Sequence, residues 1–215
     1  MTIVVFTDAN IRFQSYAGLK TSIGERLDRE FTDADLEDFI YLAERELERV
    51  VTVPYREIVT TMAITAQAMN IPSDMKTIKR VTLLTDPTAT LDQASAANLD
   101  SNSDWKTTGQ PRAYSIIGDQ IWFAPAPDGA YTAQIVYEAK LTPLTEAAPS
   151  NWLFSLHPDV YFYGALVQAA DHITDSARID RYRAMFDLTI GQINEEGRRR
   201  RTAASPLKLR SATVV

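Results

Sequence analysis

Asn151–Asn194 reads NWLFSLHPDVYFYGALVQAADHITDSARIDRYRAMFDLTIGQIN, and its change of pattern decides the fold. Pro158 suits a first helical turn, where its missing N–H costs nothing, and Asp159 suits the positive end of the helix. From Val160 to Ile173 nearly every residue is apolar or small, which predicts a helix enclosed by protein on most sides. From about Ser176 the pattern is one-sided: Ile179, Tyr182, Phe186, Ile190 and Ile193 recur at steps of three and four. Thr174 or Asp175 is placed to cap this second helix. A helix apolar all round followed by an amphipathic one is an αα-hairpin whose first member lies in a core.

Working outward, the firmest helix of the N-terminal half spans residues 33–50. Thr32 is its N-cap, Asp33 and Asp35 load its first turn, and Leu36, Ile40, Ala43, Leu47 and Val50 form its apolar stripe. Phe39 widens that stripe. The opposite face carries Glu37, Asp38, Glu44, Arg45, Glu46, Glu48 and Arg49, which reads as a solvated surface. A weaker helix covers residues 15–28 through Tyr16, Leu19, Ile23 and Leu27. Thr2–Phe6 (TIVVF) is a candidate short strand.

Residues 53–138 are β-rich. Ile58–Thr65 and Ile78–Thr85 favour strands, with a turn at Ile71–Asp74. Ala113–Ile117, Gly118–Asp119 and Gln120–Ala124 form a hairpin, and Tyr131–Glu138 extends it into a three-stranded antiparallel meander. Asp86–Asp104 reads as a polar loop with at most a short helix over Leu91–Leu99. Leu141–Ser150 is a connector. At Glu195–Glu196–Gly197 the last helix is expected to end, followed by Arg198, Arg199, Arg200 and Arg201 and then by Leu207, Lys208, Leu209 and Arg210. Such a terminus orders on a partner, its cations meeting acidic groups and its aliphatics filling pockets. The fold class expected is α+β, mainly α. Four main helices (15–28, 33–50, 158–173 and 176–196) form a bundle beside a small antiparallel sheet, with residues 1–197 as one domain and 198–215 as a tail.

The net charge of −6 opposes a role in coating nucleic acid, which needs cations to neutralise phosphates. The chain has no cysteine, which removes disulfides and thiolate chemistry. No apolar run approaches the roughly 20 residues of a membrane span, and the N-terminus lacks the features of a secretion signal. No nucleophile elbow, phosphate loop, zinc motif or dinucleotide fingerprint occurs. His157 and His172 stand alone as possible ligands or bases, and His157 is expected to hydrogen-bond at the helix entrance. Trp105, Trp122 and Trp152 lack the interleaved cations of a nucleic-acid stacking surface. No catalytic, cofactor-binding or metal site is expected. The enzymatic alternative is a hydrolase built on the acidic face of residues 32–50, with Glu44 as its test position.

Several ordered elements resemble a family of head-tail connector (adaptor) proteins of tailed bacteriophages, also found in gene transfer agents. They are Gly109–Tyr114, Pro125–Ala126–Pro127, Tyr137, Asn151–Trp152–Leu153, His157–Pro158–Asp159 with Tyr161, Asp175–Tyr182, and the early helix with Ile40, Glu44 and Arg49. The resemblance covers about residues 15–200. It implies a non-enzymatic virion protein at the neck, assembled in the host cytoplasm. Such a protein forms a homo-oligomeric ring, usually of twelve copies, bound to the portal and offering a platform to the next neck or tail protein. Packaged DNA passes through the ring without sequence-specific binding. The C-terminal segment is implied to dock on the portal, which assigns Arg198–Arg201, Leu207, Lys208, Leu209 and Arg210 by position rather than by motif. The alternative is a tail terminator or stopper that contacts the tail instead.

Overall fold

In a computed structural model, the structure describes residue 13 and residues 15–101 and 106–203. The fold is α+β, mainly α, with six helices and two four-stranded sheets among the described residues. The chain divides into two compact units. A helical unit runs to Tyr55 and resumes at Leu141, and a β unit spans Arg56–Lys140.

Local chemistry sets the helix ends. Helix α1 (Tyr16–Leu27) starts where Ser15 Oγ accepts the Gly18 N–H at 3.1 Å. It stops at Asp28, whose φ of 53° lies in the left-handed region that a short polar residue tolerates. Helix α2 (Asp33–Val50) opens with a capping box, in which Thr32 Oγ1 accepts the Asp35 N–H and Asp35 accepts the Thr32 N–H. Helix α5 (Pro158–His172) begins at the expected proline. The turn after it passes through Thr174 at φ 55°, and Asp175 caps α6 (Ser176–Ala203) by accepting the Arg178 N–H.

Helix α5 is the centre of the helical core, as its all-round apolar sequence requires. Val160, Tyr161, Ala165, Leu166, Ala169 and Ala170 are fully enclosed. From α6, Tyr182, Phe186 and Ile193 are buried against the same cluster, and Ile179 and Ile190 border it. Gly164 permits the close packing: a Cβ there would lie 2.8 Å from Phe186 and 3.0 Å from Ala43.

Helix α6 does not end at Glu195–Gly197 as expected. Gly197 sits inside the helix because a Cβ at that position would meet Val53 Cγ1 at 2.7 Å. Glu195 then pairs with Arg198 and Arg199, and Glu196 with Arg200, at the i+3 and i+4 spacings that favour helix. A short helix that the periodicity did not reveal, α4 (Trp152–Leu156), precedes α5. Asn151 caps it, accepting the Phe154 N–H at 2.8 Å and donating to Thr142 O and to the buried Tyr161 hydroxyl, each at 2.7 Å.

The β unit corrects the expected meander. The order of one sheet is β1 (Glu57–Ile64), β8 (Tyr131–Ala139), β3 (Met75–Leu83) and β4 (Ala89–Thr90). The other is β2 (Ala68–Asn70), β7 (Gln120–Ala124), β6 (Ala113–Ile117) and β5 (Asp92–Gln93). The β6–β7 hairpin forms around Gly118 at φ 60°. Strand β8 leaves it and pairs antiparallel with β1 and β3. Pro125 and Pro127, which have no N–H, prevent the hairpin from continuing. Strand β8 lies in the interior of its sheet and turns Ala133, Ile135, Tyr137 and Ala139 into the core.

Asp86–Asp104 was expected as a loop, but its described part crosses between the sheets. Strand β4 pairs with β3, buried Leu91 follows, β5 joins β6 in parallel, and α3 (Ala96–Ser101) comes next. The two sheets share a core that includes Ile64, Val81, Leu83, Ile121, Phe123 and Ile135. The candidate strand Thr2–Phe6 and residues Leu207, Lys208, Leu209 and Arg210 lie outside the described residues.

Candidate assembly surfaces

The acidic face of α2 is tied into the helical unit. Glu44 is buried at 2% exposure and accepts the Leu144 N–H at 2.7 Å. Glu48, one turn on, accepts the Leu141 N–H at 2.7 Å. These two carboxylates fasten the Leu141–Ser150 connector to α2 through its backbone donors. Burial pushes the Glu44 carboxyl up to about 7, against the downward pull of the Leu144 N–H and of Arg45. Glu46 is tied to Arg183 of α6 at 2.6 Å.

Lys20 of α1 holds the far end of the connector. Its ammonium is buried over the Tyr16 ring and reaches Glu146 at 2.8 Å, Asp33 at 3.0 Å and Glu37 at 3.4 Å. Burial pulls its pKa down, but hydrogen bonds to Glu146 and Asp33 outweigh that and carry it above the ordinary lysine range. Burial, with the nearby Glu37 carboxylate, likewise raises the Tyr16 hydroxyl to about 12. These are structural ties, with the charged partners already engaged.

The histidines are separate. His172 packs its ring edge-on to Phe39 and Phe31. His157 makes no side-chain cap bond to α5, contrary to expectation, and faces Glu196 at 3.9 Å. Among the described residues, no group of three or more His, Asp or Glu side chains is placed to hold a metal ion. None of the described helices is long and apolar enough to cross a membrane. An open cleft of about 340 Å³ is lined by Phe13, Arg26, Pro158, Asp159, Phe162 and Tyr163.

What the helical unit does present is surface. Arg198, Arg199, Arg200 and Arg201 project from the last turns of α6 rather than from an extended tail. Arg198 and Arg199 share Glu195, whose carboxyl their hydrogen bonds hold down at about 2. Arg200 bonds Glu196 and lies 4.3 Å over the Tyr55 ring, which stacks on Trp152. Intrahelical pairs at this exposure are weak and readily exchanged for a partner's carboxylates. Helix α2 exposes Tyr41 and Leu42, and α6 exposes Met185 and Leu188, the last at 57%. The apolar stripe did not reveal these four, because they stand outside it. Their signal in the sequence is large apolar residues at positions the amphipathic pattern assigns to solvent.

A family model described as SU10 adaptor protein matches residues 14–210. No curated protein matches the chain significantly.

Proposed function

We propose a head-tail connector role for this chain, which belongs to the SU10 adaptor protein family and is thus a phage adaptor, a structural protein associated with the virion. The match across residues 14–210 carries the reading. In this role, copies of the chain form a ring on the portal, usually of twelve, at the neck of the particle. The ring lines the channel through which DNA passes and receives the next tail component.

Two features support it. Exposed Tyr41 and Leu42 on α2 and Met185 and Leu188 on α6 supply apolar area that the described residues leave uncovered. In a ring, each subunit uses two different faces toward its neighbours. Burying one large aliphatic or aromatic side chain contributes roughly 1.5–3 kcal/mol, so a few such residues per face suffice once closure makes contacts intramolecular. The net charge of −6 suits a wall past which DNA slides without sticking.

Arg198, Arg199, Arg200 and Arg201, with Leu207, Lys208, Leu209 and Arg210 beyond, form the portal-docking element. Placing the arginines on a helix gives them a fixed spacing toward a partner's carboxylates. In a pull-down on portal rings, removing residues 204–215 and reversing Arg198, Arg199 and Arg201 to Glu abolishes capture while the circular dichroism spectrum is kept. Undiminished capture by that variant contradicts the docking assignment. Cross-linking to tail subunits rather than portal favours the tail-terminator alternative.

A further inference from the structure

We infer that the outward faces of α2 and α6 are the two halves of one contact between copies, in which α2 of one copy packs parallel on α6 of the next. The inference rests on the ring proposed above and names the pairing that builds it.

Four charged side chains on these faces are left without a counter-charge. Other charges on the two helices are engaged: Glu46 with Arg183, Asp175 with Arg178, and Glu195 with Arg198 and Arg199. Asp38, Arg45, Arg181 and Asp187 have no ion partner within 4.0 Å among the described residues. Asp38, Arg181 and Asp187 are exposed. Arg45 is half-buried, its guanidinium over the Tyr41 ring and its Nε shielded from water without a hydrogen-bond partner. A shielded donor left unpaired costs free energy, which a carboxylate brought to this face removes.

Helical periodicity turns both faces away from the core. Tyr41 and Arg45 lie opposite Ala43, which α2 directs at Gly164 of α5. Ala184 and Leu188 lie opposite Phe186, which α6 directs at the same glycine. A contact between successive copies in a ring needs two such different faces.

The order of charges makes the two faces complementary. From its N-terminal end, the α2 face reads Asp38, then Tyr41, then Arg45. The α6 face reads Arg181, then Ala184, then Asp187 and Leu188. The signs are reversed, and on each helix the opposite charges are separated by about 10 Å of helix axis. Parallel packing sets Asp38 beside Arg181 and Arg45 beside Asp187, with Tyr41 across Ala184 and against Leu188. Antiparallel packing sets like charge on like at both places, which is unfavourable. The subunit itself supplies the parallel direction. Glu46 meets Arg183, and further along both helices the Thr52 N–H donates to Asn194 Oδ1, so α2 and α6 run the same way. A ring axis along these helices carries one copy onto the next without reversing them.

Portal rings mixed with the full chain test this, the number of bound copies being read from the mass of the complex. Arg45→Asp and Asp187→Arg each place like charges across the contact, and each is expected to lower the copies bound per portal ring at least about tenfold. The double variant Arg45→Asp/Asp187→Arg exchanges the pair and restores the full ring. Full rings from both single variants, or no recovery in the double variant, overturn the inference while the ring formed by the unaltered chain still stands. No ring from the unaltered chain overturns the connector reading and this inference with it. Because the chain has no cysteine, a second readout is available. Tyr41→Cys/Ala184→Cys, treated with a short bismaleimide on portal rings, gives a ladder of linked copies. A single-copy band overturns the inference as well.

Discussion

The two units each bury a glutamate, and they accommodate it in different ways. In the helical unit, Glu44 is enclosed with a backbone N–H as its hydrogen-bond donor, and burial raises its pKa to about 7. In the β unit, Glu138 is buried among cations: Lys79 at 3.4 Å, Arg56 at 3.7 Å and Lys76 at 3.9 Å. Arg56 is itself almost fully enclosed and also donates to Ala139 O. One carboxylate is therefore a latch on a connector, and the other is a counter-charge beside a buried arginine. The difference follows from the backbone. The irregular connector has free N–H groups to satisfy, whereas the donors of a central strand are already used in the ladder.

The largest effect is expected in the β unit. Glu138→Ala leaves Arg56 buried without that counter-charge, which costs about 3 kcal/mol in denaturant unfolding, close to the lower end of what breaking a buried pair costs. A loss below about 1 kcal/mol would erase the distinction between the two glutamates.

Glu44 contributes an effect of similar size that depends on pH. Its folded pKa lies above its unfolded value of 4.5, so between those pH values the native state binds more protons than the unfolded state. Stability then falls as pH rises from about 4.5 to about 7, by roughly 3 kcal/mol for a shift of this size. Unfolding curves at pH 5 and pH 8 measure it. Glu44→Gln, which cannot ionise, removes that part of the slope, and a slope kept in the variant contradicts the assignment.

Smaller effects separate two glycines of α6. Gly197→Ala drives a methyl to 2.7 Å from Val53 Cγ1, and is expected to lower stability by about 1–2 kcal/mol, because overpacking outweighs the helical preference for alanine. Gly191 has nothing within 4 Å of a Cβ, so Gly191→Ala raises stability by about 0.5 kcal/mol. Thermal melts of the two variants should move in opposite directions.

Much of the helical unit was legible in the sequence because its signals are local and repeated. The capping residues Thr32 and Asp175, Pro158 at a helix start, and the Tyr182–Phe186–Ile193 stripe all act within a few residues of one another. Gly197 misled because the reason for it is Val53, far away in the chain. Glu44 was assigned to a solvated face because its enclosure comes from Leu144, which no helical period encodes. In the β unit the strands were mostly visible, but not their partners. The destination of β8 depends on β1 and β3, and the two-residue strands β4 and β5 are too short to carry a period. The surfaces were the least legible. Leu188 stands between Asp187 and Thr189, and only the fold shows that among the described residues its side chain is left exposed.

A reconstruction of the neck of an assembled particle tests the connector role most directly. The account predicts a ring of this chain seated on the portal, with Tyr41, Leu42, Met185 and Leu188 covered by neighbouring copies and the α6 arginines against portal carboxylates. A neck in which this chain is absent from the portal-facing ring, or in which those apolar residues remain in solvent, would contradict it.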